Sequence, residues 1–197
     1  MQTALIVLAA GQGRRFGGHK LLARLNGRPL ASYAATCAGD FTFIEKIAVT
    51  SRTDDELAEI FLAPGFKVIA NTAPEAGLGL SLRLGLEATT APAAFVLLAD
   101  MPHIPAMIFP ALLRRLIDDD LDAVRPRHAG QPGHPALLRR RCFHALQGEA
   151  GAATLFHDDR FRTGVIDSDD KGVIEDVDTL ADLARLQQFN DAAKTDY

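Results

Sequence analysis

An apolar, β-branched run at residues 4–8 leads directly into a loop that holds Gly11, Gly13, Gly17 and Gly18, with Arg14, Arg15 and Lys20 set among them. This junction constrains the chain more than any other stretch. The apolar run reads as a buried central strand. Glycine lets the backbone approach a ligand with no Cβ in the way, and several free N–H groups in such a loop make an anion cradle. With mobile positive charge added, the junction predicts a polyphosphate site. The bland alternative is a tight turn whose basic residues are merely solvated.

Two better-known phosphate loops do not fit. The dinucleotide fingerprint G-x-G-x-x-G needs glycine at 16, where this chain has Phe16. The loop G-x-x-x-x-G-K-[ST] nearly matches at Gly13 and Gly18, but His19 intrudes before Lys20 and Leu21 stands in place of the metal-binding hydroxyl.

The rest of the chain alternates in type. Strands are expected at 46–51, 66–71 and 94–100, and helices at 28–38, 54–62, 78–88 and 106–117. Leu80, Leu84 and Leu86 are placed near the buried side of the third helix. The run F-V-L-L-A before Asp100 is the most apolar of all and has to be interior. Alternation of this kind argues for a parallel α/β sheet with helices on both faces. Beyond it, strands at 123–126 and 135–138 flank a loop, short helices follow at 139–146 and 152–157, and a short strand sits at 164–167. A last helix covers 178–189. The acidic run Asp118, Asp119 and Asp120 reads as a solvated turn, because carboxylates sit badly at a helix C-terminus.

Composition excludes several classes. With 197 residues, 48% of them hydrophobic, the chain can bury a proper core and is most simply one domain, 1–197. A net charge of -4 with scattered cations offers no footprint for nucleic acid. No apolar stretch is long enough for a bilayer, and the N-terminus lacks the basic region of a signal peptide. Cys37 and Cys142 belong to no C-x-x-C and read as buried thiols in a reducing cytoplasm.

Asp100 is the strongest single candidate for chemistry. It follows a buried strand whose end faces the same way as the glycine loop, and ligands of open α/β sheets bind beyond the carboxyl ends of strands. A carboxylate there is placed to hold magnesium, which takes one or two protein carboxylates plus phosphate oxygens and water. Asp178 has two readings, a metal-side carboxylate or a cap for the last helix, and Thr179 is an equally good cap. Ser81 lies near a helix start, where unpaired N–H groups meet an anion or a base edge. His134 belongs to no catalytic pattern, and His103, His128, His144 and His157 earn no role.

L-A-A-G-x-x-x-R-F-G-x-x-K, as it stands at residues 8–20, resembles the signature of the molybdenum cofactor nucleotidyltransferase-like (MobA-like) family, in its cytidylyltransferase branch. Further pieces fit in order: Asn71 with Gly77 to Ser81, L-L-A-D-M-P ending at Pro102, G-Q-P-G-H-P ending at Pro135, G-E-A-G-A from Gly148, and D-V-D-T ending at Thr179. The resemblance implies a three-layer α/β/α Rossmann-like sandwich around a mixed, mostly parallel seven-stranded sheet. It implies NMP transfer, with CTP as the nucleotide, molybdopterin as the phosphorylated acceptor and Mg2+ as the cofactor. Leu8, Ala9, Ala10, Gly11, Gly13, Arg15, Lys20, Asn71, Gly77 and Ser81 would surround the nucleotide. Arg15, Lys20 and Asp100 would carry the chemistry, Asp100 with Asp178 the metal, and His134 with Pro135 the acceptor. Transfer to a sugar phosphate, or non-catalytic delivery of cofactor to a molybdenum hydroxylase client, is the alternative. Ala153 departs from the family pattern, which carries arginine there, and leaves the acceptor open.

Overall fold

The computed structural model describes residues 1–11, 13–51, 55–146 and 151–195. Its centre is a twisted sheet of β1 (Ala4–Ala9), β2 (Glu45–Ser51), β3 (Lys67–Asn71), β4 (Ala93–Leu98), β5 (Ala123–His128), β6 (Ala136–Arg139) and β7 (Thr163–Asp167), in the order β3-β2-β1-β4-β6-β5-β7. Only β6 among these runs antiparallel, against both β4 and β5. An eighth short strand, Gln131–Pro132, folds back onto the end of β5. The fold is therefore the mixed, mostly parallel sandwich that the resemblance implies, with one strand beyond the expected seven.

Every residue of β1 is buried, and its alternation divides the core in two. Leu5, Val7 and Ala9 face one layer; Ala4, Ile6 and Leu8 face the other. Four helices cover the first face: α1 (Leu30–Thr36), α2 (Asp55–Leu62), α4 (Ile108–Asp118) and α5 (Leu180–Thr195). In α4 the residues Ile108, Phe109, Leu112 and Leu116 recur at helical spacing and are buried as one stripe. Phe95 and Phe109 meet there with Phe41 and Phe43, ring centroids 5.1–5.9 Å apart. The opposite face is covered by α3 (Leu78–Glu87) and two 3-10 segments, Arg140–Ala145 and Gly151–His157.

Several boundaries differ from the sequence reading, each for a local reason. Arg28–Pro29 does not open a helix; it pairs with Arg24–Leu25 in a two-residue ribbon, and α1 starts at Leu30. The ribbon turns through Asn26 and Gly27, both at positive φ, the Asn-Gly hairpin signal that outweighs proline at a helix start. In α3 the buried stripe is Gly79, Ser81, Leu82, Gly85 and Leu86, while Leu80 and Leu84 are only half-buried. Gly85 sets that registration, since a Cβ there would lie 2.5 Å from Ile6 Cγ2. β4 ends at Leu98, so Asp100 sits in the turn just past it. β5 runs on to His128 because the returning strand at Gln131–Pro132 pairs with its end. Asp54, the expected first residue of α2, lies outside the described residues, as do Gly148 and Glu149. Asp120 is exposed as expected and Asp119 half-buried, and both take guanidinium partners, Arg115 for Asp119 and Arg139 and Arg162 for Asp120. Both cysteines are free, and burial pushes each thiol up to about 12. Among the described residues, no helix is long and apolar enough to cross a membrane.

Candidate active site

The crossover direction reverses between β1 and β4, the point at which an open α/β sheet leaves a crevice beyond its carboxyl edge. A cavity of about 240 Å³ lies there, lined on one side by Leu8, Ala10, Gly11, Gly13, Lys20 and Leu21. Pro74, Gly77, Leu78 and Ser81 form the opposite wall, with Leu98 and Asp100 at the base. The loop from β1 winds through a 3-10 turn, Arg14–Phe16, and reaches Lys20 by way of Gly17 and Gly18, both at positive φ. Gly13 is also at positive φ, and a Cβ on it would meet the Lys20 Cβ at 3.1 Å. Glycine at this point lets the loop close tightly enough to aim Lys20 inward.

Lys20 Nζ donates to Asp100 Oδ2 at 2.7 Å and to Asp178 Oδ1 at 3.2 Å. Arg15 Nη1 reaches the other oxygen of Asp178 at 2.7 Å. The Lys20 and Asp100 side chains are 11% and 17% exposed, whereas Arg15 is 78% exposed, so the lysine is the inner cation and the arginine the outer. Burial alone would depress the Lys20 ammonium, but the charge and hydrogen bond of Asp100, then those of Asp178, raise it above its ordinary value. It is a fixed positive charge. Burial, and then the carboxylates of Asp100 and Asp178, push Asp176 up, so the negative field extends one step along the chain.

The two readings of Asp178 are separated by its neighbour. Thr179 Oγ1 accepts from the Asp182 N–H at 3.2 Å, and Asp182 Oδ2 accepts from the Thr179 N–H at 2.8 Å. That reciprocal pair caps α5 and leaves the Asp178 carboxylate free to face the cations. The second oxygen of Asp100, Oδ1, is buried without a hydrogen-bond partner among the described residues. No group of three His, Cys, Asp or Glu side chains that could hold a metal occurs among them. Two carboxylates and an unpaired buried oxygen fit a hard divalent cation that takes its remaining ligands from phosphates and water.

The other expected residues fall into place unevenly. Ser81 lines the cavity in the first turn of α3, whose start at Gly77 has no side-chain cap. Asn71 is fully buried behind that wall, donating to Ser81 Oγ at 2.9 Å and accepting from the Ala73 N–H at 2.9 Å. It supports the wall rather than forming it. Ala9 is likewise in the strand, not in the lining. His134 lies in an adjoining cavity of about 200 Å³, which shares Leu8, Leu78 and Leu98 with the first and also holds Arg125, Gly133, Ala153 and Phe156. Pro135 is buried beneath it, and burial lowers the His134 imidazole below its ordinary value.

Two features escaped the sequence reading. His103, given no role, places Nδ1 2.9 Å from Glu175 Oε2, and Arg185 Nη1 and Lys171 Nζ hold the other oxygen at 2.8 and 3.1 Å. Arg125 faces the second cavity because strand alternation puts it on the same side as buried Ala123. A charge inside a strand reads as solvent-facing until the covering segment is known, yet that alternation was the available signal.

The MobA-like NTP transferase domain model matches residues 5–162. Over 99 residues the chain is 36% identical to the probable molybdenum cofactor guanylyltransferase of Thermococcus gammatolerans, an alignment covering 49% of this chain and 47% of that relative. The chain thus spans about half the length of that relative. Against the protein of the same name from Natronomonas pharaonis it is 26% identical, over 93% of this chain and 96% of that one. Among solved structures, Rv0371c of Mycobacterium tuberculosis in complex with manganese superimposes with a TM-score of 0.72 at 27% identity, covering 95% of this chain and 99% of that one.

Proposed function

The chain belongs to the MobA-like NTP transferase domain family, and we propose that it transfers CMP from CTP to the phosphate of a molybdopterin-type acceptor, releasing pyrophosphate. The observation that carries the reading is the cluster of Lys20, Arg15, Asp100 and Asp178 at the mouth of a glycine loop, on the carboxyl edge between β1 and β4. In-line attack of an acceptor phosphate oxygen on the α-phosphorus needs positioning and charge neutralisation, not a protein nucleophile. The N–H groups of Gly11 and Gly13 hold phosphate oxygens, and Lys20 and Arg15 neutralise charge as the Pα–O bond to pyrophosphate breaks. Asp100 and Asp178 would hold magnesium, which supplies further neutralisation of the phosphates when bound. The manganese complex of Rv0371c and the unpaired Asp100 Oδ1 support that assignment.

CTP is proposed over GTP on Ala10. Ala10 lines the cavity; in the family pattern that the chain resembles, the cytidylyl branch carries L-A-A-G and the guanylyl branch L-A-G-G, and the added methyl group would take room that a purine would use. The resembled family also supports a molybdoenzyme as client for the product. Pyrophosphate release, measured with each of the four NTPs with and without molybdopterin, tests the reading. Release that requires molybdopterin and is fastest with CTP is expected. Absence of release with all four NTPs would overturn the proposal, and preference for GTP would overturn its cytidylyl part.

A further inference from the structure

The cavity beside the nucleotide cleft contains a cation that has no counter-charge among the described residues. Arg125 is the one charged residue among those lining it, in company with Leu82, Val96, Ala136 and Phe156. Its Nε is buried without a hydrogen-bond partner, and its guanidinium lies 4.1 Å from the centroid of the Phe156 ring. No carboxylate pairs with it among the described residues; Asp122, the nearest in sequence, is taken by Arg141 and by the Arg162 N–H. Burial pushes the Arg125 guanidinium down from its ordinary value, a desolvation that no carboxylate among the described residues offsets. Guanidinium geometry suits two-point recognition of a phosphate, and stacking on an aromatic ring holds the fork in place without using its donors.

Position decides which phosphate. The triphosphate side of the cleft already has Lys20 and Arg15, on the far side of Leu8 and Leu98, which the two cavities share. His134 lies within electrostatic reach of both Asp100 and Arg125, and the two cavities share Leu8, Leu78 and Leu98, so the second cavity borders the Asp100 side of the first. We propose that Arg125 is the acceptor-anchoring residue: the second cavity takes a phosphomonoester with a flat or apolar body, its phosphate on the guanidinium and its body against Phe156, Leu78 and Leu82. The proposal rests on the nucleotidyltransferase reading of the adjoining cleft. It makes acceptor choice a property of β5 and not of the glycine loop.

The test uses the full chain with phenyl phosphate as probe and benzyl alcohol as its uncharged counterpart, titrated by NMR with the cleft filled by CTP and magnesium. Binding of CTP alone is measured in parallel on each variant. Wild type should bind phenyl phosphate at least ten-fold more tightly than benzyl alcohol. Arg125→Met should lose that advantage while CTP affinity changes less than two-fold, and Arg125→Lys should recover part of it. The melting temperature of Arg125→Met should equal or exceed that of wild type, because a half-buried charge with no ion pair among the described residues is replaced by an apolar side chain that still packs on Phe156. Phenyl phosphate binding that is absent in wild type, or unchanged in Arg125→Met, overturns the proposal. A lower melting temperature with unchanged binding assigns Arg125 to packing on Phe156 and overturns it as well. If phenyl phosphate binds through Arg125 but no nucleotide binds the wild type, the reading of the cleft fails, and the acceptor role with it.

Discussion

Glu175→Gln should destabilise the protein by about 3 kcal/mol at neutral pH, and the loss should fade in acid. The Glu175 side chain is 7% exposed and is met by His103, Arg185 and Lys171. Burial alone would raise its carboxyl; hydrogen bonds from Arg185, His103 and Lys171 instead hold it down at about 2, against 4.5 for the unperturbed group. A difference of about 2.5 pH units at roughly 1.4 kcal/mol each sets an upper figure of about 3.5 kcal/mol, which solvent screening at the exposed Lys171 and Arg185 reduces to about 3 kcal/mol. Because the folded value is depressed, the stabilisation is complete above about pH 4.5 and is lost as pH falls toward 2. By pH 3 less than half of it should survive. The assay is urea unfolding of wild type and Glu175→Gln at pH 7, 5 and 3. For a chain of this size the neutral-pH gap corresponds to roughly 6–12 °C in melting temperature. A gap under 1 kcal/mol at pH 7, or one that is the same at pH 7 and pH 3, would refute the reasoning.

Asp100→Asn should abolish magnesium-dependent pyrophosphate release and leave the melting curve near wild type, since an amide fits the turn but carries no charge for the metal; normal turnover at ordinary magnesium would remove Asp100 from the mechanism. Lys20→Ala should lower kcat by about 10²–10³ while weakening nucleotide binding less, and Arg15→Ala should do the same to a smaller degree because it is 78% exposed; a change in KM alone would mean uniform binding. Ala10→Gly should relax the preference for CTP without reversing it, since one methyl group discriminates by about 1–3 kcal/mol; competition between CTP and GTP reads it directly. Gly85→Ala should destabilise by about 1–3 kcal/mol, as its Cβ would overlap Ile6 Cγ2 at 2.5 Å; thermal unfolding unchanged from wild type would contradict the packing described for α3.

What was legible in the sequence is what depends on neighbours along the chain. The buried run of β1, the cradle after it and Asp100 beyond a buried strand all follow from local pattern, and the resemblance ordered them into one fold. Asp178 was legible as a candidate but not as a partner, because only the fold shows Thr179 and Asp182 capping α5 between themselves. The Asn26-Gly27 turn was readable and was outweighed by Pro29, a conflict between two short-range signals. Leu80 and Leu84 were misplaced because five leucines in ten residues fit more than one helical face, and contact with Ile6 chooses among them. Glu175, His103 and Arg185 were out of reach: the pair Glu175 and His103 is separated by 72 positions, and nothing near either residue names the other.

That last group explains why D-V-D-T can serve a site whose other parts come from the first half of the chain. The segment before α5 is tied down at several points. The Val177 N–H donates to the Asp100 carbonyl at 3.1 Å, the His134 N–H donates to the Val173 carbonyl at 2.7 Å, and Glu175 holds His103 just beyond the Asp100 turn. Close approach is built in, since a Cβ on Gly172 would lie 2.0 Å from the His103 carbonyl oxygen and one on Gly133 2.3 Å from that of Val173. The same strap therefore sets the separation of Asp178 from Asp100 and the position of the His134 loop beside the second cavity. Loosening it should not act on stability alone: Glu175→Gln moves no group of the cleft directly, yet it slackens the tie that holds Asp178 opposite Lys20. Its turnover relative to wild type should accordingly fall as temperature rises, well below the melting transition, as expected if the strap opens locally; a ratio constant with temperature would refute the tie.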